Sequence, residues 1–181
     1  MLEDKRIIRK FNRGNRDVLR QVYDKYKIDL MTLATALLYD KDAAEDVVQD
    51  VFASFIESAE RFKLTGSLKG YLAVCVANNA RNRNKAKRRH QSVGLDEVQT
   101  IELDSNGPFF SAIFGEELQK LAWALAQLPY KQRETLLLHV YGGMKFKAIS
   151  KLSGEPINTL KGQYRYGLNK LRSLLNSEVE K

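Results

Sequence analysis

An all-α fold, made of two small helical domains joined by an acidic linker, is what the sequence predicts, and three observations predict it. Apolar residues recur at three- and four-residue intervals through most of the 181 residues, and no convincing alternating strand appears. The pattern fails between 91 and 112, where Gly94, Ser105, Asn106, Gly107 and Pro108 stand among scattered apolar residues. The charge changes sign at the same place. Residues 61–90 hold nine Lys or Arg and no acid, residues 91–119 hold six acids and no Lys or Arg, and residues 120–181 hold eleven basic and four acidic side chains. The expected division is therefore 1–90, a linker over 91–112, and 113–181.

Each helix has its own signal. Leu19, Val22, Tyr23, Tyr26, Leu30, Leu33 and Leu37 make one face of a long first helix. Asp42, with Glu45 three residues later, reads as a capping box opening the second. Its apolar stripe is Val47, Val48, Val51, Phe52, Phe55 and Ile56. Phe62 to Gly66 reads as a loop and Ser67 as the N-cap of a third helix, which turns Leu68, Tyr71, Leu72, Cys75 and Val76 inward. Beyond Val76 the apolar pattern stops, and Asn78, Asn79, Arg81, Asn82, Arg83 and Lys85 carry the helix on into solvent, as if toward a partner.

After the linker, Phe114, Leu118, Leu121, Ala122 and Leu125 mark a helix that Pro129 ends. The next runs from about Tyr130 to Tyr141 and stops at Gly142-Gly143. A short helix bearing Phe146, Ile149 and Leu152 follows, then a turn at Gly154, then a last helix after Pro156 that buries Leu160, Tyr164, Leu168, Leu171 and Leu175. A unit this small has a core worth only about 3–5 kcal/mol, so docking on a partner would steady it.

Composition excludes several classes. With 44% hydrophobic residues the chain is too apolar for a disordered tail, and no run of apolar residues is long enough to span a bilayer. The first residues, Met1-Leu2-Glu3-Asp4-Lys5-Arg6, lack the apolar core of a secretion signal, and the single Cys75 forms no internal disulfide. The expectation is a cytoplasmic protein without membrane insertion. His90 and His139 lie in different expected domains, with no HExxH and no Cys/His cluster, so no metal site is implied. The absence of a phosphate-cradling glycine loop implies no cofactor. Glu45, Asp46 and Asp50 are close in sequence, but acids in a helix's first turns suit the macrodipole and face water. The chain is expected not to be an enzyme.

The net charge of +8 gathers in two basic blocks, which points to a polyanion, with nucleic acid foremost. Phe146 to Arg165 has the anatomy of a helix-turn-helix. In its second helix Leu160, Tyr164 and Leu168 point in, while Asn158, Lys161 and Arg165 share the outer face. Such a helix suits the major groove, where Arg and Lys read guanine and Asn reads adenine. Asn158 and Gln163 are candidates for adenine, Arg165 for guanine, and Thr159 and Lys161 for backbone phosphates.

Three stretches resemble a known family. The segment LPYKQRETLLLHVYGGMKFKAISKLSGEPINTLKGQYRYGLNKLR, Leu128 to Arg172, resembles the promoter-reading domain of bacterial sigma factors. AAEDVVQDVF, Ala43 to Phe52, resembles the family's signature for docking on core RNA polymerase, and GYLAVCVANNARNRNKAKRR, Gly70 to Arg89, is similar to the stretch and basic tail that follow it. Size, linker and the lack of intervening domains resemble the extracytoplasmic-function (ECF) group. Departures fall at Tyr71 for the usual Trp, Cys75-Val76 for Ile-Ala, Ala148 for Glu and Ser150 for Ala. Gly162, Gln163, Tyr166 and Gly167 stand where Ser, Arg, Arg and Ala are commoner.

The resemblance implies a sigma factor that binds core RNA polymerase and directs it to promoter DNA, with an anti-sigma factor as a further partner. It implies that domain 1–90 docks through Glu45, Asp46, Gln49 and Asp50. The same domain would open the −10 element through Phe62, Lys63, Ser67, Asn78, Arg81, Asn82, Lys85 and Arg88, with the loop and Asn78 holding a flipped base. Domain 113–181 would bind the −35 element through Asn158, Thr159, Lys161, Gln163 and Arg165. The alternative is a helix-turn-helix regulator that never joins polymerase, which leaves the acidic helix and first basic block without a role. An RNA-binding protein is a third class, permitted by charge but supported by no RNA-reading motif.

Overall fold

The structure is a computed structural model that describes residues 2–12, 17–58, 67–91 and 120–177, and every regular element among them is an α-helix. The expected loop Phe62 to Gly66, the linker 91–112, and Phe114 and Leu118 lie outside the described residues. Contacts divide the chain into two compact units, Met1–Ala86 and Lys87–Lys181.

The first unit is built from α1 (Leu2–Phe11), α2 (Asp17–Leu38), α3 (Lys41–Glu57) and α4 (Leu68–Gln91). The face expected of α2 is buried at Val22, Tyr26, Leu30, Leu33 and Leu37, while Leu19 is half-buried and Tyr23 lies at the rim, tilted onto Phe52 at 4.9 Å. Val47, Val48, Val51, Phe52 and Phe55 of α3 are buried against it, and Ile56 is exposed. Burying one such side chain fully is worth about 1.5–3 kcal/mol, so this seam is a large part of the unit's cohesion. The sequence reading did not anticipate α1. Its Ile7, Ile8 and Phe11 complete the core, with Phe11 stacked on Phe55 at 4.6 Å.

The junction of α2 and α3 corrects the expected capping box. Asp40, not Asp42, is the N-cap: its Oδ1 accepts the Ala43 N–H at 3.0 Å. The cause lies one residue earlier, where Tyr39 takes a left-handed φ of 53° and turns the chain at once. Helix α3 thus starts at Lys41, and Asp42 is left as a first-turn acid favoured by the macrodipole. Glu45 approaches Lys41 at 3.9 Å rather than closing a box.

Ser67 caps α4 as expected, accepting the Gly70 N–H on its Oγ at 2.9 Å. Leu68, Leu72 and Val76 are buried, and Tyr71 and Cys75 are half-buried. Burial pushes the Tyr71 hydroxyl up to about 12 and raises the Cys75 thiol as well. The expectation that the helix leaves the core after Val76 is corrected by Ala77 and Ala80, both fully buried. Their small side chains extend the contact, and Asn84 donates to the Leu37 carbonyl at 3.4 Å.

One carboxylate ties three of these helices. Asp4 of α1 accepts the Tyr26 hydroxyl of α2 at 2.8 Å and the Leu68 N–H, the first of α4, at 3.3 Å. Lys25 lies 3.5 Å from the same carboxylate. Burial alone would raise the Asp4 pKa, but the Tyr26 and Leu68 bonds and the Lys25 charge outweigh it and hold the group below its ordinary value. Burial, then the bond to Asp4, pushes Tyr26 up to about 12.

The second unit holds a helical stretch at 120–126 (α5), then α6 (Tyr130–Val140), α7 (Phe146–Ser153) and α8 (Ile157–Ser177). Leu125, Leu138, Ile149, Leu160 and Leu171 are buried, with Tyr164, Leu168 and Leu175 half-buried around them. Arg133 is 2% exposed; its Nη1 reaches the Ala126 carbonyl at the end of α5 (3.4 Å), and its guanidinium lies 5.5 Å from the Tyr130 ring centre. The turn from α7 to α8 is set by Gly154, whose φ of 73° closes α7 in the left-handed region that favours glycine. Side chains then lock that turn to α6. Gln163 donates to Glu155 Oε2 at 2.6 Å and accepts the Thr135 hydroxyl at 2.8 Å, while Lys131 pairs with Glu155 Oε1 at 2.8 Å.

Two predictions follow from these junctions. Asp4→Ala leaves a buried hydroxyl and a helix N–H without their acceptor and should cost about 1–3 kcal/mol in denaturant melts at neutral pH. Because the folded-state pKa of Asp4 is depressed, its contribution is present above the ordinary aspartate range and disappears as pH falls through the folded value. Asp4→Asn should therefore flatten the acid limb of a melting-temperature profile. In the second unit Gln163→Ala should cost about 1–3 kcal/mol. Asn158→Ala, at an exposed position of the same helix, should stay within about 0.5 kcal/mol. Denaturant titration with amide exchange in α7 and α8 distinguishes the two.

Candidate functional site

The packing of α3 decides which of its polar residues can meet a partner. With Ala44, Val47, Val48, Val51, Phe52 and Phe55 facing in, Glu45, Asp46, Gln49 and Asp50 all face out. The structure adds a cation that the sequence reading placed elsewhere. Arg83 of α4 sits between two carboxylates one turn apart, its Nη1 3.2 Å from Asp46 Oδ2 and its Nη2 3.7 Å from Asp50 Oδ2. The bridge relieves the repulsion between the two acids. The Asp46 and Asp50 side chains are 61% and 65% exposed, so each pair is worth about 0–1 kcal/mol.

Along α4, the residues expected at the −10 element separate into those turned to solvent and those held by the chain. Asn82 and Lys85 are exposed. Asn78 and Arg81 are half-buried and bonded to each other, Arg81 Nη1 donating to Asn78 Oδ1 at 3.4 Å. Asn79 donates to the Cys75 carbonyl at 3.1 Å, so its amide serves the helix itself. Ser67 is exposed at the helix start, with its hydroxyl oxygen accepting the cap bond. Phe62, Lys63 and the Arg88 side chain lie outside the described residues.

On α8 the expected outer face is present at Asn158, Thr159, Lys161 and Arg165, all exposed. Gln163 is the exception. Its amide oxygen and nitrogen are both engaged by Thr135 and Glu155, so it turns toward α6 and holds the turn rather than presenting a free edge to a base. Tyr166, which the sequence reading did not propose as a contact, is 61% exposed, and the Arg165 guanidinium carbon lies 5.3 Å from its ring centre. Its exposure follows from its place beside Arg165 and away from the buried Leu160 and Leu171.

Among the described residues no three His, Cys, Asp or Glu side chains gather as metal ligands. His139 is part of the second core. Its Nδ1 donates to the Met144 carbonyl at 2.7 Å, and its ring stacks on Phe146 at 4.2 Å and meets Tyr164 edge-on at 5.0 Å. No described helix is long and apolar enough to cross a membrane. What remains is an acid face on α3, a polar and basic face on α4, and a basic face on the second helix of a helix-turn-helix.

Comparison with known proteins places these faces in a family. Residues 22–90 match the model of Sigma-70 region 2, and residues 118–171 match that of Sigma-70, region 4, together more than half of the chain. The chain is 25% identical over 173 residues to the ECF RNA polymerase sigma factor SigK of Mycobacterium ulcerans (strain Agy99), covering 94% of this chain and 92% of that one. It is also 25% identical over 156 residues to the RNA polymerase sigma factor SigV of Bacillus subtilis (strain 168), covering 84% and 88%. Two solved structures share the fold. CnrH, in complex with the cytosolic domain of CnrY, superposes with a TM-score of 0.67 at 17% identity, over 96% of this chain and 97% of that one. The sigma factor RpoE of Bartonella quintana, in complex with the anti-sigma factor NepR, gives 0.64 at 23% identity, over 87% and 98%. The chain belongs to the sigma-70 family, as a sigma factor of the ECF group.

Proposed function

We propose a division of labour between the two units of this sigma factor, which binds core RNA polymerase and directs it to promoters. The domain over 1–90 docks on core polymerase through Glu45, Asp46, Gln49 and Asp50 and handles the melted −10 element through the α4 face. The domain over 113–181 binds the −35 element through α8, and the acidic segment 91–112 joins them. The observation that carries this reading is the placement of opposite charges on different helices. Exposed carboxylates on α3 repel phosphates but suit a basic protein groove, whereas the outer faces of α4 and α8 suit nucleic acid.

Within the first domain, Asn82 and Lys85 contact the strand directly, and Asn78 with Arg81 forms a hydrogen-bonded pair that can receive an unstacked base. Phe62, Lys63, Ser67 and Arg88 flank them in sequence. In the second, Lys161 and Thr159 position the backbone, Asn158 and Arg165 read base edges, and Gln163 holds the helix in place. Bond formation belongs to the polymerase, so the chain is not an enzyme by itself, and it works in the cytoplasm. An anti-sigma factor completes the set of partners, a reading supported by the matched structure of the sigma factor RpoE in complex with the anti-sigma factor NepR. The alternative of a regulator that never joins polymerase leaves the match of residues 22–90 to region 2 without a use.

Docking and readout make separate predictions. Asp46→Lys with Asp50→Lys should weaken core polymerase binding roughly tenfold to a hundredfold with helicity unchanged, measured by fluorescence titration against core enzyme and by circular dichroism. Unchanged affinity would remove α3 from the docking surface. For the −35 element, Arg165→Ala in the holoenzyme should cost roughly 1–3 kcal/mol and relax preference at one position of a randomised library. Lys161→Ala should weaken all sequences about equally and lower the salt slope by about one. Uniform loss in both variants would make α8 an electrostatic anchor only.

A further inference from the structure

Two glycines interrupt α8, and the chain explains one of them. At Gly167 a Cβ would stand 3.2 Å from Gln132 Cβ, so glycine there permits the close crossing of α8 on α6. At Gly162 nothing lies within 4 Å of where a Cβ would stand. Glycine is the least favourable residue inside a helix apart from proline, and here it weakens a 21-residue helix while filling no internal need. The space it leaves opens outward. Asn158 lies one turn before it and Arg165 and Tyr166 one turn after, at the spacing that puts all four on one face. Helical side chains lean toward the N-terminus, so the exposed Tyr166 borders the turn that contains Gly162.

Resting on the reading of α8 as the −35 helix, we infer that the notch at Gly162, bordered by Tyr166, receives the 5-methyl group of a thymine in the major groove. The methyl is the one apolar feature that base edges present there, and an aromatic ring beside a missing Cβ is matched to it. Gly162 itself brings no side-chain donor to a phosphate, and the ring of Tyr166, rather than its hydroxyl, is the part that matches a methyl group. Without a Cβ at 162 the helix backbone approaches the base edge more closely, and Arg165, over the Tyr166 ring, is held beside it with its hydrogen-bonding fork. The −35 element would then carry a thymine next to the base that Arg165 reads.

The test uses holoenzyme and the preferred −35 duplex from a randomised library, with each thymine replaced in turn by deoxyuridine, which removes the methyl alone. One replacement should weaken the wild type about fourfold, the worth of one buried methyl group. The same replacement should have no effect on Tyr166→Ala, and Tyr166→Phe should keep the discrimination. Gly162→Ala should melt at a higher temperature than the wild type yet bind the element less well and lose the thymine–uracil difference. Sequence-selective binding by a wild type indifferent to uracil at every position would overturn the notch while leaving the −35 assignment intact. Gly162→Ala binding as well as the wild type would overturn it too. Loss of all sequence preference in this element would instead overturn the assignment of α8 on which the inference stands.

Discussion

A single buried carboxylate pins the start of α4 to α1 and α2. A helix begins with N–H groups that have no partner of their own, and burying them without acceptors is costly. In the first unit Asp4 supplies an acceptor from α1, while its other oxygen takes the Tyr26 hydroxyl from α2. The desolvation of the carboxylate is offset only because all these partners converge. The helix that carries Asn78, Asn82 and Lys85 is thereby fixed by the element furthest from it in sequence. The second unit uses the same device in a different place. Glu155, in the turn before α8, is held by Lys131 of α6 and Gln163 of α8, so α8 is fixed against α6 by a carboxylate with two partners.

The acid face of α3 and the basic face of α8 both come from ordinary helical periodicity. The buried stripe of α3 leaves its acids on the outside, and the buried stripe of α8 leaves its cations there. The surface chemistry of each helix is set by which side chains stand on which exposed turn.

Much of this was legible in the sequence. The faces of α2, α3 and α8, the Ser67 cap and the Gly154 turn follow from spacing and turn chemistry that act within a few residues. What escaped depends on contacts between distant segments. Helix α1 was missed because Ile7, Ile8 and Phe11 stand among charges and span little more than one turn of a ten-residue helix, and only α2 and α3 reveal their purpose. Ala77 and Ala80 carry too little apolar surface to register, yet their smallness is what permits the close approach. The cap at Asp40 rather than Asp42 hinges on the left-handed Tyr39, which no propensity favours. Gln163 sits on the right helix for a base contact, but its amide is claimed by Thr135 and Glu155, partners 28 and 8 residues away.

The Arg83 bridge makes the acid face of α3 an ion exchanger. Asp46 and Asp50 already hold a guanidinium, so a basic partner that takes them substitutes one cation for another instead of neutralising bare charge. The gain in Coulomb energy is the difference between two pairs, and counting the contacts in a complex would overstate it. The displaced guanidinium stays covalently on α4, on the flank next to α3 and about 160° around the helix from Arg81 and Lys85. The Arg83 charge therefore stays beside whatever occupies the acid face, and a basic partner meets a repulsion that offsets part of what it gains from the two carboxylates.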